Sequence, residues 1–533
     1  MFHQLLTPIG DSLTLSFLVA AVPIAVVLVL LGVLRRPAWQ SSLAGLASAL
    51  VIAVALWNMP VKLALYSTFA GAMFAIWPVM WIAFNALLLY NITVAAGRFD
   101  AFRQWVVDHM PDDKRVVLIV IGFCFGTLLE GVAGFGTPVA VCSALLIALG
   151  FPALEALTFT LIFDTAPVAF GALGAPVTTL GSVTGLPDTL LGAMIGRQLP
   201  FMALLLPFYV IGIYGGLKSV RALWPVLLVA AGSFALSQFA VSNYVSFALT
   251  DVLSAIISLA CTLGFLQVWK PAPDPEFAVA NRTTLAPDAP RIPAWQAWAP
   301  WIGLSAVVIV WTVLKINLIG DIKVAWPGLD KAIYITLYDK PYGAVWDFQP
   351  LATGTSILFT AIIANICFRL GLGGFLSALL KTWRQARLAI LTVALIVGLA
   401  YLMNYSGMTY TLGMAVASVG PLFPMLSAFL GWMAVFLSGS DTSGNALFGN
   451  LQVVAAKQLN LDPILIAATN SSGGVMGKMI SPQNIATGAA VTELKGKEGL
   501  ILAKTFKHSI ILTVILGILV MLQQHVFPWM IPH

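Results

Sequence analysis

Charge is what this sequence has least of. Only 9% of its 533 residues are Asp, Glu, Lys or Arg, while 60% are hydrophobic; soluble domains carry about 25% charged residues. A chain so poor in solvated groups must face lipid or pack inside a bundle over most of its length, which excludes a soluble enzyme. Histidine is scarce too. His3, His109, His508, His525 and His533 all fall near the ends of apolar runs, so no histidine proton relay is built in. The four cysteines, Cys124, Cys142, Cys261 and Cys367, sit singly in apolar segments. Their spacing supports neither a disulfide framework nor a zinc site, and they read as small core hydrophobes. Lys and Arg outnumber Asp and Glu by 27 to 21. They form no basic run, so the excess does not point to nucleic acid.

What is present is a series of long apolar runs, each near the roughly 20 residues that cross a bilayer. Spans are expected near 12–34, 41–60, 68–97, 153–180, 200–217, 222–243, 245–268, 298–320, 351–369, 386–417, 462–490 and 506–529, with two shorter hairpins near 116–150 and 419–458. The run at 12–34 is too long for a signal-peptide core and reads as a retained span. The fold class is therefore an all-α polytopic membrane protein of about 12 transmembrane helices plus two re-entrant hairpins. Residues 99–113 look amphipathic, as a helix lying along a membrane surface would. Residues 321–350, mixing Asp, Lys and aromatics, read as an external loop with some structure of its own.

Lys and Arg set the orientation. With the N-terminus outside, one side receives Arg35, Arg36, Arg98, Arg103, Lys114, Arg115, Lys218, Arg221, Lys270, Arg282, Arg291, Arg369, Lys381, Arg384, Arg387, Lys495, Lys497, Lys504 and Lys507. The other receives Lys62, Arg197, Lys323, Lys331, Lys340 and Lys457, and Lys315 and Lys478 are left at depth. Nineteen against six places the first group in the cytoplasm and both termini outside, in the periplasm. The bias survives only if both hairpins turn back without crossing. The chain then divides into an N-terminal half (1–269) holding a hairpin that enters from the cytoplasm, a cytoplasmic linker (270–297), and a C-terminal half (298–533) whose hairpin enters from outside.

The two hairpin regions repeat one another. Glu130-Gly-Val-Ala-Gly-Phe-Gly-Thr-Pro138 is followed by Phe151-Pro152, then Asp164-Thr-Ala-Pro-Val-Ala-Phe-Gly171 and Pro176; Asp441-Thr-Ser-Gly-Asn445 is followed by Asp462-Pro463, then Asn470-Ser-Ser-Gly-Gly-Val-Met-Gly477 and Pro482. Glu130 to Pro152 and Asp441 to Pro463 are both 22 residues, and the later steps of 7 and 5 also agree. An odd number of spans separates the units, so they are inverted. Inverted repeats with broken helices are the pattern of secondary transporters, with the site near the midplane.

A break inside the membrane is tolerated only where its freed N–H and C=O groups line a protein-walled or watery site. Each break also restarts a helix: Thr137 before Pro138, Ser481 before Pro482, and the Asp441-Thr442-Ser443 segment. Helix N-termini favour anions such as a carboxylate. Gly131, Gly134 and Gly136 lie beside Glu130 and suit such a site, whereas Gly174 and Gly181 suit close helix packing. The charges at depth are Glu130, Asp164, Asp441 and Lys478. Ionisable groups there mark ion or proton pathways. Glu130 and Asp441, at matching repeat positions, lead as proton-coupling residues, and Asp164 follows. Lys478 pairs with one of them or contacts the anion. Polar side chains gather at the same places: Thr165; Asn404, Tyr405, Ser406 and Thr409; Ser438, Ser440, Thr442, Ser443, Asn445 and Asn450; Asn470, Ser471, Ser472, Gln483 and Asn484. Of these, Thr165, Asn404, Tyr405, Ser406, Ser440, Thr442, Ser443, Asn445, Asn470, Ser471 and Gln483 join Gly134, Gly136, Thr137 and Lys478 as candidate substrate contacts. Protons are the coupling ion, and no metal or organic cofactor is called for.

The strings E-G-V-A-G-F-G-T-P (130–138), D-T-A-P-V-A-F-G-A-L-G-A-P (164–176), N-Y-S-G-M-T (404–409), G-S-D-T-S-G-N-A-L-F (439–448) and G-K-M-I-S-P-Q-N-I-A (477–486) resemble the bacterial L-lactate permease family, which includes glycolate permeases. The resemblance spans nearly the whole chain. It implies proton symport of L-lactate and related small 2-hydroxy monocarboxylates (D-lactate, glycolate) across the inner membrane, by alternating access. Asp164 stands where the family motif implies Asn, and Thr137 where it implies Ala. A sodium-coupled carboxylate symporter of similar inverted-hairpin architecture is the alternative. An intramembrane aspartyl protease needs a G-x-G-D motif and a Y-D partner that are missing here, and the repeat disfavours a channel.

Overall fold

The computed structural model describes residues 1–34, 36–132, 134, 136–279, 293–490, 492–494 and 497–533. Arg35, Arg282, Arg291 and Lys495 of the charge tally and residues 280–292 of the 270–297 linker lie outside the described residues, as does the side chain of Thr137.

Helices dominate, and ten of them position the residues singled out above. Helix α1 (Lys114–Val132) and α2 (Thr137–Ala148) form the first hairpin. Helices α3 (Ala153–Phe163) and α4 (Gly171–Thr184) form the first broken span, bent by 62°. Helix α5 (Thr250–Val268) packs along α1. Helix α6 (Gly371–Ser406) stops at Gly407, whose φ of 103° no side-chain-bearing residue adopts easily. Helices α7 (Phe423–Ser438) and α8 (Asp441–Gln458) form the second hairpin, and α9 (Pro463–Lys478) and α10 (Pro482–Ala490) the second broken span.

By length and composition, nine described helices are candidate spans, or ten with the bent pair. The expected twelve are not reproduced by that measure. The expected spans at 200–217 and 222–243 fall in one run, Asp188–Tyr244, kinked at Gly216. The apolar parts of the helices at 298–311 and 353–367 are short, whereas α1, expected in a hairpin that turns back, is by itself long and apolar enough to count as a candidate span. The chain is also not purely helical. Strand β1 (Phe2–His3) pairs with β3 (Ile333–Ile335), which pairs with β4 (Lys340–Pro341), while β2 (Ile322–Ala325) pairs with β5 (Val345–Phe348). These two small sheets order the 321–350 loop, with β1 joining from the N-terminus. The helix Arg98–Asp108 sits against protein: Phe102 meets Trp298 at 4.9 Å, and Phe99, Phe102 and Val106 are buried.

Contacts between loops sort into two ends. At one, Arg98 Nη1 donates to Gln296 Oε1 (2.6 Å), Lys114 Nζ to Gly150 O (3.0 Å), and Arg115 Nη1 to Ser219 Oγ (3.1 Å) and Asp274 Oδ2 (3.2 Å). At the other, β1 pairs with β3, Arg197 Nη1 donates to Met530 O (2.9 Å), and Lys457 Nζ lies 4.7 Å from the Tyr338 ring. The base of the first hairpin closes at the first end through Lys114 and Gly150. In the second, Phe423 at the start of α7 clusters with Ala455 and Ala456 near the end of α8 and with Ile466 of α9.

Helices α7 and α9 lie closest. A Cβ added at Gly431 would collide with Asn470 O, one at Gly473 with Ala428 O, and one at Gly477 with Trp432 O. Small residues at these crossings let backbones touch, which is how helices gain dispersion contact where lipid supplies no hydrophobic drive.

Candidate transport site

The first hairpin turns through Gly134 (φ 54°) and Gly136 (φ 77°), both left-handed and both glycine. Gly136 caps α2 and Pro138 follows at the first turn. Thr137 is thus the first helical residue and not the cap, because only glycine reaches the cap's left-handed angles without strain. The second hairpin turns through Gly439 (φ 71°), which ends α7, and Ser440 then caps α8 by accepting from Ser443 N at 3.3 Å. In the second broken span Ser481 accepts from Asn484 N at 3.3 Å and caps α10. In the first, Ala172, Leu173 and Gly174 all hold left-handed angles (φ 45°, 55° and 79°). For Ala and Leu that costs roughly 1–2 kcal/mol each, and such strain gathers at functional sites.

These breaks converge on an ion cluster. Lys478 Nζ, at the end of α9, donates to Glu130 Oε1 at 2.6 Å and lies 3.1 Å from Asp164 Oδ2. Glu130 is on α1, in the last turn before the hairpin tip, and Asp164 caps the end of α3. The three side chains are no more than 6% exposed. One lysine from the second repeat therefore joins two carboxyls from the first. Gly171 permits the approach, since a Cβ there would lie 2.9 Å from Glu130 Oε1.

Asp441 is elsewhere. Its Oδ2 accepts from Ser471 Oγ (2.5 Å) and Asn445 Nδ2 (3.3 Å). Glu130 and Asp441 are thus not a mirrored pair: Glu130 precedes its hairpin turn and Asp441 follows its own, and Lys478 binds Glu130 and Asp164. The two centres are still linked. Ser471, Gly474 and Lys478 are spaced 3 and 4 apart and share a face of α9, and a Cβ on Gly474 would lie 2.5 Å from Asp441 Oδ1. Asn470 Nδ2 donates to Asn445 Oδ1 (2.9 Å), Gln452 Nε2 to Asn470 Oδ1 (2.6 Å), and Asn445 Nδ2 to Pro176 O (3.2 Å) on α4.

A fourth carboxyl escaped the sequence reading. Asp251, in the first turn of α5, is 1% exposed and within electrostatic reach of Glu130, Asp164 and Lys478. Gly131 lets it in: a Cβ there would lie 2.8 Å from Asp251 Cβ. Among the described residues, both Asp251 oxygens, Glu130 Oε2, Asp164 Oδ1 and Asp441 Oδ1 have no hydrogen-bond partner. The sequence signal for Asp251 was faint, because it sits where a span begins and an acidic residue is ordinary. Its depth is set by Phe247, wedged against Gly174 and Gly192.

The candidate substrate contacts fall into separate places. Gly136, Ser440, Ser443 and Gln483 line a cavity of about 1070 Å³ together with Ser438 and Thr487, and Arg36 and Lys381 stand at its rim. Asn404 and Tyr405 line a second cavity of about 380 Å³ with Ser182, Tyr401, Asn450 and Lys457. Asn445, Asn470 and Ser471 are spent on the Asp441 network. Thr165 Oγ1 donates to Ile162 O (2.7 Å) and Ser406 Oγ to Met403 O (3.2 Å), so both hydroxyls satisfy their own helix ends. Gly134 is buried against Ala172, Thr442 is half-buried, and Lys478 is in the ion cluster. Among the described residues no group of His, Cys, Asp and Glu is arranged to hold a metal ion.

The L-lactate permease family model matches residues 16–527. The chain belongs to the L-lactate permease family. It is 40% identical to the L-lactate permease of Bacillus subtilis (strain 168) and 40% to the glycolate permease GlcA of Escherichia coli (strain K12), with 99% of each chain covered in both cases. It is 38% identical to the L-lactate permease of Escherichia coli (strain K12) over the full length of both. Among solved structures, the Alcanivorax borkumensis YdaH transporter aligns at a TM-score of 0.48 and 14% identity, covering 87% of this chain and 88% of that one. As a member of this permease family the chain is a transporter, not an enzyme, and a multi-pass inner-membrane protein.

Proposed function

We propose that the chain takes up L-lactate and related small 2-hydroxy monocarboxylates, D-lactate and glycolate among them, together with protons and by alternating access. The observation that carries the reading is the single ammonium of Lys478 held between Glu130 and Asp164, with Asp251 alongside. Three carboxyls face one cation, and burying uncompensated charge costs several kcal/mol by order of magnitude. Protons taken up by the cluster remove that cost, and an arriving carboxylate anion competes for Lys478. Proton loading and substrate binding are thereby coupled at one residue. The cluster joins the two repeats, so a change at either hairpin is felt by the other. The substrate class comes from the named activities of the relatives. The sorting of loop contacts into two ends supports the orientation drawn from Lys and Arg, with both termini periplasmic, both hairpins re-entrant, and halves 1–269 and 298–533 inverted.

Glu130→Gln tests the reading. It keeps the shape and a hydrogen-bond acceptor for Lys478 but cannot exchange a proton. Acid-driven lactate uptake should fall to background while lactate–lactate counterflow persists; intact acid-driven uptake refutes the role. Replacing sodium by choline should leave wild-type uptake unchanged, and loss of uptake there would make sodium the coupling ion.

A further inference from the structure

The smaller cavity opens on the face that carries the two β-sheets, and its rim brings two lysines together. Lys457 Nζ, in the last turn of α8, lies 4.7 Å from the centroid of the Tyr338 ring, and Lys340 Nζ, on β4, lies 5.9 Å from the same centroid. Both are exposed, and neither forms an ion pair with a described residue. Of the four carboxyls of the same loop, Asp330 Oδ1 accepts from Ala344 N (2.8 Å) and Asp339 Oδ1 from Tyr334 OH (2.7 Å). Like charges gathered without a counter-ion repel, and an anion between them relieves the repulsion. The Tyr338 hydroxyl beneath them is buried with no hydrogen-bond partner among the described residues. Deeper in, Asn450 Nδ2 donates to Asn404 Oδ1 (3.0 Å) and Ser182 Oγ meets Tyr401 OH (2.6 Å), which leaves a hydroxyl- and amide-lined floor. The cavity volume of about 380 Å³ admits a molecule of a few heavy atoms.

We propose that this cavity is an outer waiting site for a small monocarboxylate anion, captured by Lys340 and Lys457 and hydrogen-bonded from Tyr338, before it passes to the central cluster. The proposal rests on the carboxylate-transport reading. Its work is capture and not coupling, since the site holds none of the buried carboxyls. Two fixed positive charges in a narrow mouth concentrate an anion and raise its arrival rate, and dissolved salt screens that effect over about 8 Å at physiological ionic strength.

The experiment is initial-rate uptake of labelled lactate into proteoliposomes by wild type, by the double variant Lys340→Ala with Lys457→Ala, and by Lys323→Ala as a control lysine on the other sheet. The double variant should show a KM raised about threefold to tenfold at unchanged kcat. Wild-type uptake at low lactate should decline as ionic strength rises, and that slope should flatten in the double variant. Lys323→Ala should behave as wild type. An unchanged KM and salt slope in the double variant overturns the waiting site while the transport reading stands. An equal effect of Lys323→Ala also overturns it, in favour of diffuse surface charge. Absence of lactate uptake by wild type would instead be the failure of the transport reading.

Discussion

Lys478 holds the centre because its ammonium ion-pairs with both Glu130 and Asp164. Removing one partner of a buried ion pair costs on the order of 3–5 kcal/mol, since the other is left charged and unpaired. Lys478→Met should therefore lower the thermal stability of detergent-solubilised protein and abolish uptake. Adding Glu130→Gln and Asp164→Asn to it should recover much of the stability but none of the transport. Recovered transport in that triple variant would mean that the cluster is a structural clamp. Asp251 gives the opposite test. It makes no hydrogen bond that Asn would break, so Asp251→Asn should fold normally. If it shares the cluster's protons, acid-driven uptake should drop about tenfold, roughly 1.4 kcal/mol of barrier, with an altered pH profile and intact counterflow. A wild-type pH profile would remove Asp251 from the path.

Elements show why part of this site was legible and part was not. The helix restarts at Pro138 and at Ser481-Pro482 could be read because missing N–H groups and hydroxyl caps are backbone mechanics tied to residue type. Thr137 misled because a hydroxyl before proline looks like a cap until Gly136 is seen to take that place. Side-chain partners are tertiary facts: no spacing reveals that Lys478 reaches Glu130 and Asp164 and leaves Asp441 to Ser471, or that Asn404 and Ser443 line different cavities. The contact between α7 and α9 is intermediate. Its glycines are visible in the sequence, but the identity of the crossing helix is not. Gly473 faces Ala428 O with no room for a methyl group, so Gly473→Ala should cost about 1–3 kcal/mol through overpacking. A melting curve of the purified variant checks it. Unchanged stability would mean that α7 and α9 can part, and that the centres they carry are less tightly coupled than drawn.

At the scale of the molecule, two cavities approach the broken helices from the two ends defined by loop contacts. Ser443 lines the one rimmed by Arg36 and Lys381, and Asn450, two turns further along α8, lines the one rimmed by Lys457. Both residues are at most 8% exposed, so reagents reach them only through those cavities. A transporter that alternates should open the two in turn. With Cys261 and Cys367 replaced by Ser to remove the exposed thiols, Ser443→Cys should react with a charged, membrane-impermeant thiol reagent supplied from the cytoplasmic side. Asn450→Cys should react from the periplasmic side. Lactate should change the two labelling rates in opposite directions, because any state that favours one cavity disfavours the other. Labelling of both positions from the same side would reverse the proposed topology of the second hairpin. Labelling of both that ignores lactate would leave two static pockets and no alternation, and the coupling assigned to Lys478 would then have no motion to drive.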